Sequence, residues 1–111
     1  MADTKTISIA RDFSRFPAGR FTTDGPWSGE GFRETILHPA LLANSRVIVQ
    51  LDGTLGYGSS FLEEAFGGLV RVHGISPGDL HEKLTLESRD SSLPLEIWSY
   101  VDKATAKDGK P

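Results

Sequence analysis

The chain has no cysteine among its 111 residues. A disulfide framework and a thiolate metal site are therefore excluded, and a reducing compartment suits such a composition. No apolar run is long enough to cross a bilayer. The opening stretch MADTKTISIARDF puts no basic flank ahead of a long apolar segment, so it does not read as a secretory signal. A soluble, cytoplasmic protein without a membrane partner is expected. Basic charge is not in excess: 12 Lys and Arg face 15 Asp and Glu, a formal net charge of -3. A general nucleic-acid binder shows a basic patch or stripe, so no nucleic-acid partner is expected. There is no internal repeat and no interdomain linker. Residues 1–104 read as one domain and residues 105–111 as a flexible polar tail.

What is present points to an α/β fold. Ile7 and Ile9 alternate with Thr6 and Ser8 across Lys5 to Phe13, a strand pattern. Pro17 and Gly19 mark a turn, and Arg20 to Thr23 is expected to return as a second short strand, closing a hairpin. Phe32, Ile36 and Leu37 fall at helical spacing. Pro39 is expected to end or kink that helix, with Ala40 to Ala43 adding a further turn. Val47, Ile48, Val49 and Leu51 form the near-continuous apolar run of a strand covered on both faces. From Ser60 the period becomes helical: Phe61, Leu62, Ala65, Phe66, Leu69 and Val70 share one stripe, with Glu63, Glu64 and Arg71 off it. Gly67 and Gly68 each cost this helix roughly 1 kcal/mol relative to alanine, and their lack of side chains allows close packing. Ser76 and Pro77 start a short helix. Leu84 and Leu86 mark a last strand near an edge, and Leu93, Ile97, Trp98 and Val101 a last helix. The expected order is β-β-α-β-α-β-α, a small sandwich with helices on a mixed sheet that begins with an antiparallel hairpin.

The stretch LDGTLGYGSSFLEEAFGGLVR, residues 51–71, carries the candidate chemistry. A nucleophile elbow requires G-x-S-x-G, and neither Ser59 nor Ser60 has it. His38, His73 and His81 have no fixed spacing to the serines, and no close histidine pair or metal motif occurs. No catalytic residue, metal or cofactor is expected. Gly53 to Ser60 has the outline of a phosphate loop without its lysine. That leaves backbone N–H groups at a helix start as a weak anion site and makes nucleotide hydrolysis a poor reading. Ser60 and Glu63 have the spacing of a capping box, which accounts for Ser60 but not for Ser59. Tyr57, among Gly56 and Gly58, is expected on an exposed loop as a contact residue, with Asp52, Glu63 and Glu64 beside it. A second glycine-rich loop, DGPWSGEGFRE, offers Asp24 or Ser28 as a helix cap. It also offers Trp27, Glu30 and Arg33 as a second binding surface.

The order of elements, with a serine pair opening the helix after the central strand, resembles the STAS domain of anti-sigma factor antagonists. In that family an Asp-Ser-Ser-Gly stretch follows the same strand, and a partner kinase phosphorylates its first serine. Gly58-Ser59-Ser60-Phe61 occupies that place here, so the resemblance makes Ser59, and less so Ser60, the phosphoacceptor candidate. The two glycine-rich stretches together look like a bacterial STAS-like family of unknown function, over roughly Ile7 to Leu86. The resemblance implies a non-enzymatic regulatory domain whose partner is a histidine-kinase-like ATPase. The alternative is a small anion- or nucleotide-binding module built on the two loops.

Overall fold

The structure is a computed structural model that describes residues 3–105. Most of the expected C-terminal tail therefore lies outside the described residues. Three strands, β1 (Thr4–Ser8), β2 (Arg46–Gln50) and β3 (Leu84–Glu87), form one sheet in the order β1-β2-β3. Both pairings are parallel, with Thr6 opposite Ile48 and Val47 opposite Leu84. β2 is the central strand, but its burial alternates. Val47, Val49 and Leu51 on one face are buried, whereas Ile48 and Gln50 on the other are only partly covered, so one face rather than both is closed.

The expected hairpin is absent, and the sheet is parallel rather than mixed. After Ser8 the chain leaves β1 through a single π-type turn, Ile9–Phe13. The Ser8 hydroxyl accepts from Arg11 N at 3.2 Å, and the Asp12 carboxylate accepts from Ser8 N at 2.8 Å. This reciprocal bonding closes the backbone on itself where a strand would need ladder partners. Arg20 to Thr23 is likewise not a strand. Asp24 accepts from Arg20 N and Phe21 N, and Thr22–Asp24 form a 3₁₀ turn.

Gly29–Phe32, Arg33–Leu37 and His38–Ala43 run on as one helix, α1 (residues 29–43). Pro39 neither ends it nor starts a separate one. The preceding turn is of π type, with His38 N bonded to Arg33 O five residues back, and this widening accommodates a ring that would clash in a regular helix. Ser59–Leu62, Glu63–Gly67 and Gly68–Arg71 form the second long helix, α2 (residues 59–71). Its stripe from Phe61 to Val70 is buried as its periodicity requires. α3 (Pro77–Lys83) starts at Ser76, whose hydroxyl accepts from Asp79 N at 3.1 Å, with Pro77 in the first turn. α4 (Ser92–Lys103) buries Ile97 and Val101. α2 packs against both α1 and α4. Among the described residues no helix is long and apolar enough to cross a membrane.

Candidate functional site

The β2–α2 loop is pinned at several points. Asp52 accepts from Arg89 N at 3.1 and 3.2 Å, tying the loop to the end of β3. Gly53 and Gly56 hold φ of 100° and 135°, a region that favours glycine. Leu55 N donates to Arg15 O at 3.0 Å, joining this loop to the one before α1. Tyr57 is not the free contact residue expected. It is half-buried, its hydroxyl donates to Leu51 O at 2.6 Å, and its ring lies 5.9 Å from that of Phe61.

Gly58 occupies the cap position of α2 in extended conformation, and no side chain caps the helix. Ser60 is therefore not the cap its spacing with Glu63 suggested. The helix starts one residue earlier, so both serines lie in its first turn. Both are exposed, and neither hydroxyl joins a hydrogen bond among the described residues. Glu63 does not reach back to the cap because two arginines hold it elsewhere.

The loop before α1 is anchored in a complementary way. Ser28 is buried, and its hydroxyl accepts from Gly31 N at 3.0 Å, so Ser28 rather than Asp24 caps α1. Gly29 N and Glu30 N, which have no intrahelical acceptor, donate to Gly19 O and Arg20 O, both at 3.0 Å. Glu30 accepts from Thr22 N at 2.8 Å. Trp27 is partly exposed and sits edge-on to Phe13, with ring centroids 5.5 Å apart. Phe13 in turn touches Phe32 and Phe61. Aromatic packing thus connects the two loops beneath the start of α2.

Arg33 and Glu64 do not belong to an exposed surface. Their side chains are 3% and 5% exposed. Arg33 Nη1 donates to Glu64 Oε2 at 2.8 Å and to the Glu64 carbonyl oxygen at 2.6 Å. Gly68 makes room, because a Cβ there would collide with the Arg33 guanidinium. Arg20 Nη1 and Arg71 Nη2 donate to Glu64 Oε1 at 3.0 and 3.1 Å, and the same two arginines bind Glu63. Both oxygens of the buried carboxylate are satisfied, and no buried side-chain polar atom lacks a partner among the described residues.

Burial pushes the Glu63 carboxyl up, but the hydrogen bonds from Arg71 and Arg20 outweigh it and hold the pKa below its ordinary value. A depressed carboxylate adds stability above its unfolded pKa, and that contribution is lost as pH falls through the folded value. Unfolding free energy is therefore expected to decline from about pH 4.5 downward. Glu63→Gln should decline less steeply, measured by urea denaturation at pH 7 and at about pH 3.5. Parallel pH profiles for the two proteins would contradict this.

The fold also brings together two histidines that sequence spacing gave no reason to pair. The rings of His38 and His73 stack, 3.6 Å apart and 19° from parallel. His73 Nε2 lies 2.6 Å from Glu34 Oε2, which also accepts from Arg33 Nε at 2.7 Å. Their 35-residue separation hides the pair, and only the packing of α1 on α2 reveals it.

No curated protein and no solved structure matches the chain. A family model, the STAS-like domain of unknown function (DUF4325), matches residues 28–92, from the α1 cap through β2, the serine pair, α2 and β3 to the first residue of α4. That is more than half of the 111 residues, and the chain belongs to this STAS-like family.

Proposed function

We propose that the domain is a non-enzymatic, regulatory protein-interaction module whose partner is a histidine-kinase-like ATPase, and that phosphorylation of Ser59 controls the contact. The observation that carries this reading is the exposed, unbonded Ser59 in the first turn of a helix that no side chain caps. A phosphate there adds roughly -1.5 to -2 charges at the end of the helix that favours anions. Glu63 and Glu64 would oppose such a charge if unpaired. Instead, Arg20, Arg33 and Arg71 pair with them.

The surroundings suit docking. Leu55 and Phe16 are 75% and 60% exposed, on loops joined by the Leu55–Arg15 hydrogen bond. Partly exposed Trp27 and Phe21 extend the apolar character of the second loop. Asp52, Gly56 and Tyr57 contribute by fixing the loop's shape, and Glu30 and Asp24 by fixing its neighbour.

The test is binding to the cognate ATPase captured from the source cell. Ser59→Asp is expected to bind about tenfold or more weakly than wild type, a difference of about 1.4 kcal/mol. Ser59→Ala should bind like wild type, and incubation with the ATPase and ATP should place phosphate on Ser59 by mass spectrometry. Equal affinity of the two variants ends the switch proposal. The uncapped helix start supports the anion- or nucleotide-binding alternative. A rise in melting temperature with ATP, GTP or phosphate, in the absence of any partner, would favour that reading instead.

A further inference from the structure

The end of α2 remote from Ser59 carries a separate constellation. Thirteen residues at 1.5 Å each put the two ends of the helix roughly 20 Å apart. Glu34 and His38 stand four residues apart on α1, hence on one face. His73 comes from the chain just past α2. Its backbone is fixed by a glycine stop: Gly74 adopts φ 70°, Gly74 N donates to Val70 O at 3.0 Å, and Ile75 N to Leu69 O at 3.2 Å. The ligand-type atoms of Glu34, His38 and His73 all lie within 4.8 Å of one another.

We propose that Glu34, His38 and His73 form a binding site for one borderline transition-metal ion, zinc foremost, with an exchangeable position turned toward the adjoining groove. Two imidazoles and one carboxylate suit zinc, cobalt or nickel rather than magnesium or calcium, which prefer all-oxygen sets. Zinc bonds of about 2.0–2.2 Å need ligand atoms roughly 3–3.5 Å apart with their lone pairs converging. The two imidazoles, stacked 3.6 Å apart and 19° from parallel, must therefore turn out of their stack about the side-chain bonds to close the set. The atoms required are available. Among the described residues, neither His38 ring nitrogen nor Glu34 Oε1 takes part in a hydrogen bond, while Glu34 Oε2 is held by Arg33 Nε and by His73 Nε2 at 2.6 Å, a contact that the ion would replace. Arg33 is itself fixed by Glu64, so the carboxylate has the rigid outer support that metal sites use.

Three protein ligands leave a fourth position free, as in open rather than closed zinc sites. A groove of about 350 Å³ adjoins it, lined by His38 and His73 with Leu41, Ile75 and Leu80, and with Lys83 among its polar residues. The space suits water or a small exchangeable ligand on the metal. This inference does not depend on Ser59 or on any protein partner.

The test titrates the chelator-treated chain with Zn²⁺ alone by calorimetry and with Co²⁺ by visible absorption. One ion per chain is expected, with a rise in melting temperature at saturating Zn²⁺. His38→Ala and His73→Ala should each weaken binding about tenfold or more. His81→Ala should leave it unchanged, because His81 pairs with Asp102 and stacks on Trp98 instead. A readout on the wild-type chain covers the case in which a variant misfolds. Zn²⁺, which is diamagnetic and shifts only nearby groups, should move the ring NMR signals of His38 and His73 at concentrations that leave His81 unmoved. No stoichiometric binding, or equal response of all three histidines, overturns the site.

Discussion

Glu64→Leu is expected to lower the free energy of unfolding by about 3–5 kcal/mol, the usual cost of removing one partner from a buried ion pair. The substitution leaves the Arg33 guanidinium buried with the Glu64 carbonyl oxygen and with Glu34, but without the carboxylate that faces it at 2.8 Å. It also takes an acceptor from both Arg20 and Arg71. Domains of this size have total stabilities of about 5–15 kcal/mol, so the variant is expected to be only marginally folded. The pair need not itself be strongly stabilising, because desolvating two charges offsets much of their attraction. Arg33→Met combined with Glu64→Leu should therefore be markedly more stable than Glu64→Leu alone. A double-mutant cycle by urea denaturation measures the coupling. Two single variants within about 1 kcal/mol of wild type would show that the pair is not buried in solution as it is here.

This pair also marks where the sequence stops being legible. Periodicity sorts residues into apolar and polar faces, and it located α2, β2 and the Ser76–Pro77 helix start, because burial of Phe61 to Val70 or Val47 to Leu51 is written in residue type. It cannot tell a solvated glutamate from one neutralised by a partner 31 residues away, so Glu64 and Arg33 read as surface. The one local sign was the Gly67-Gly68 pair inside the helix, a propensity cost that implies a close neighbour. The missing hairpin has the same kind of cause. Ile7 and Ile9 alternate as a strand does, but the Ser8–Asp12 bond turns the chain after Ser8. In the candidate site, Ser59 was legible as a residue with no structural task. The cap assigned to Ser60 was not, since box spacing is silent about which residue begins the helix and about the arginines that capture Glu63. The Glu34, His38 and His73 cluster depends wholly on how α1 crosses α2.

The second large effect is expected where those two helices cross. A Cβ on Gly29 would run into the Phe61 carbonyl oxygen, with Ala65 N at 3.1 Å and Glu64 Cβ at 3.2 Å. The obstacle is backbone in the middle of a helix contact, which cannot swing aside. Gly29→Ala is therefore expected to cost about 3 kcal/mol, the upper end of the usual overpacking range. Gly68→Ala should cost a comparable amount. Its Cβ meets the Arg33 guanidinium, normally a movable group, but here 3% exposed and bonded to Glu64. Gly67→Ala is the control within the same helix. Its nearest obstacle is Glu63 Oε2 at 2.8 Å, the end of a side chain 25% exposed. The carboxylate is held by Arg71 and Arg20, but it lies at a partly exposed edge where the three side chains can shift together, and the Tyr100 carbonyl oxygen is at an ordinary 3.4 Å. The cost of that shift is offset by the roughly 1 kcal/mol the helix gains from the better helix former. Melting temperature should then fall by more than about 10 °C for Gly29→Ala and Gly68→Ala and stay within about 5 °C for Gly67→Ala. If the three alanines behave alike, helix propensity governs these glycines. If they divide as expected, Gly29 and Gly68 are glycine because α1, α2 and the buried arginine between them leave no volume for a methyl group.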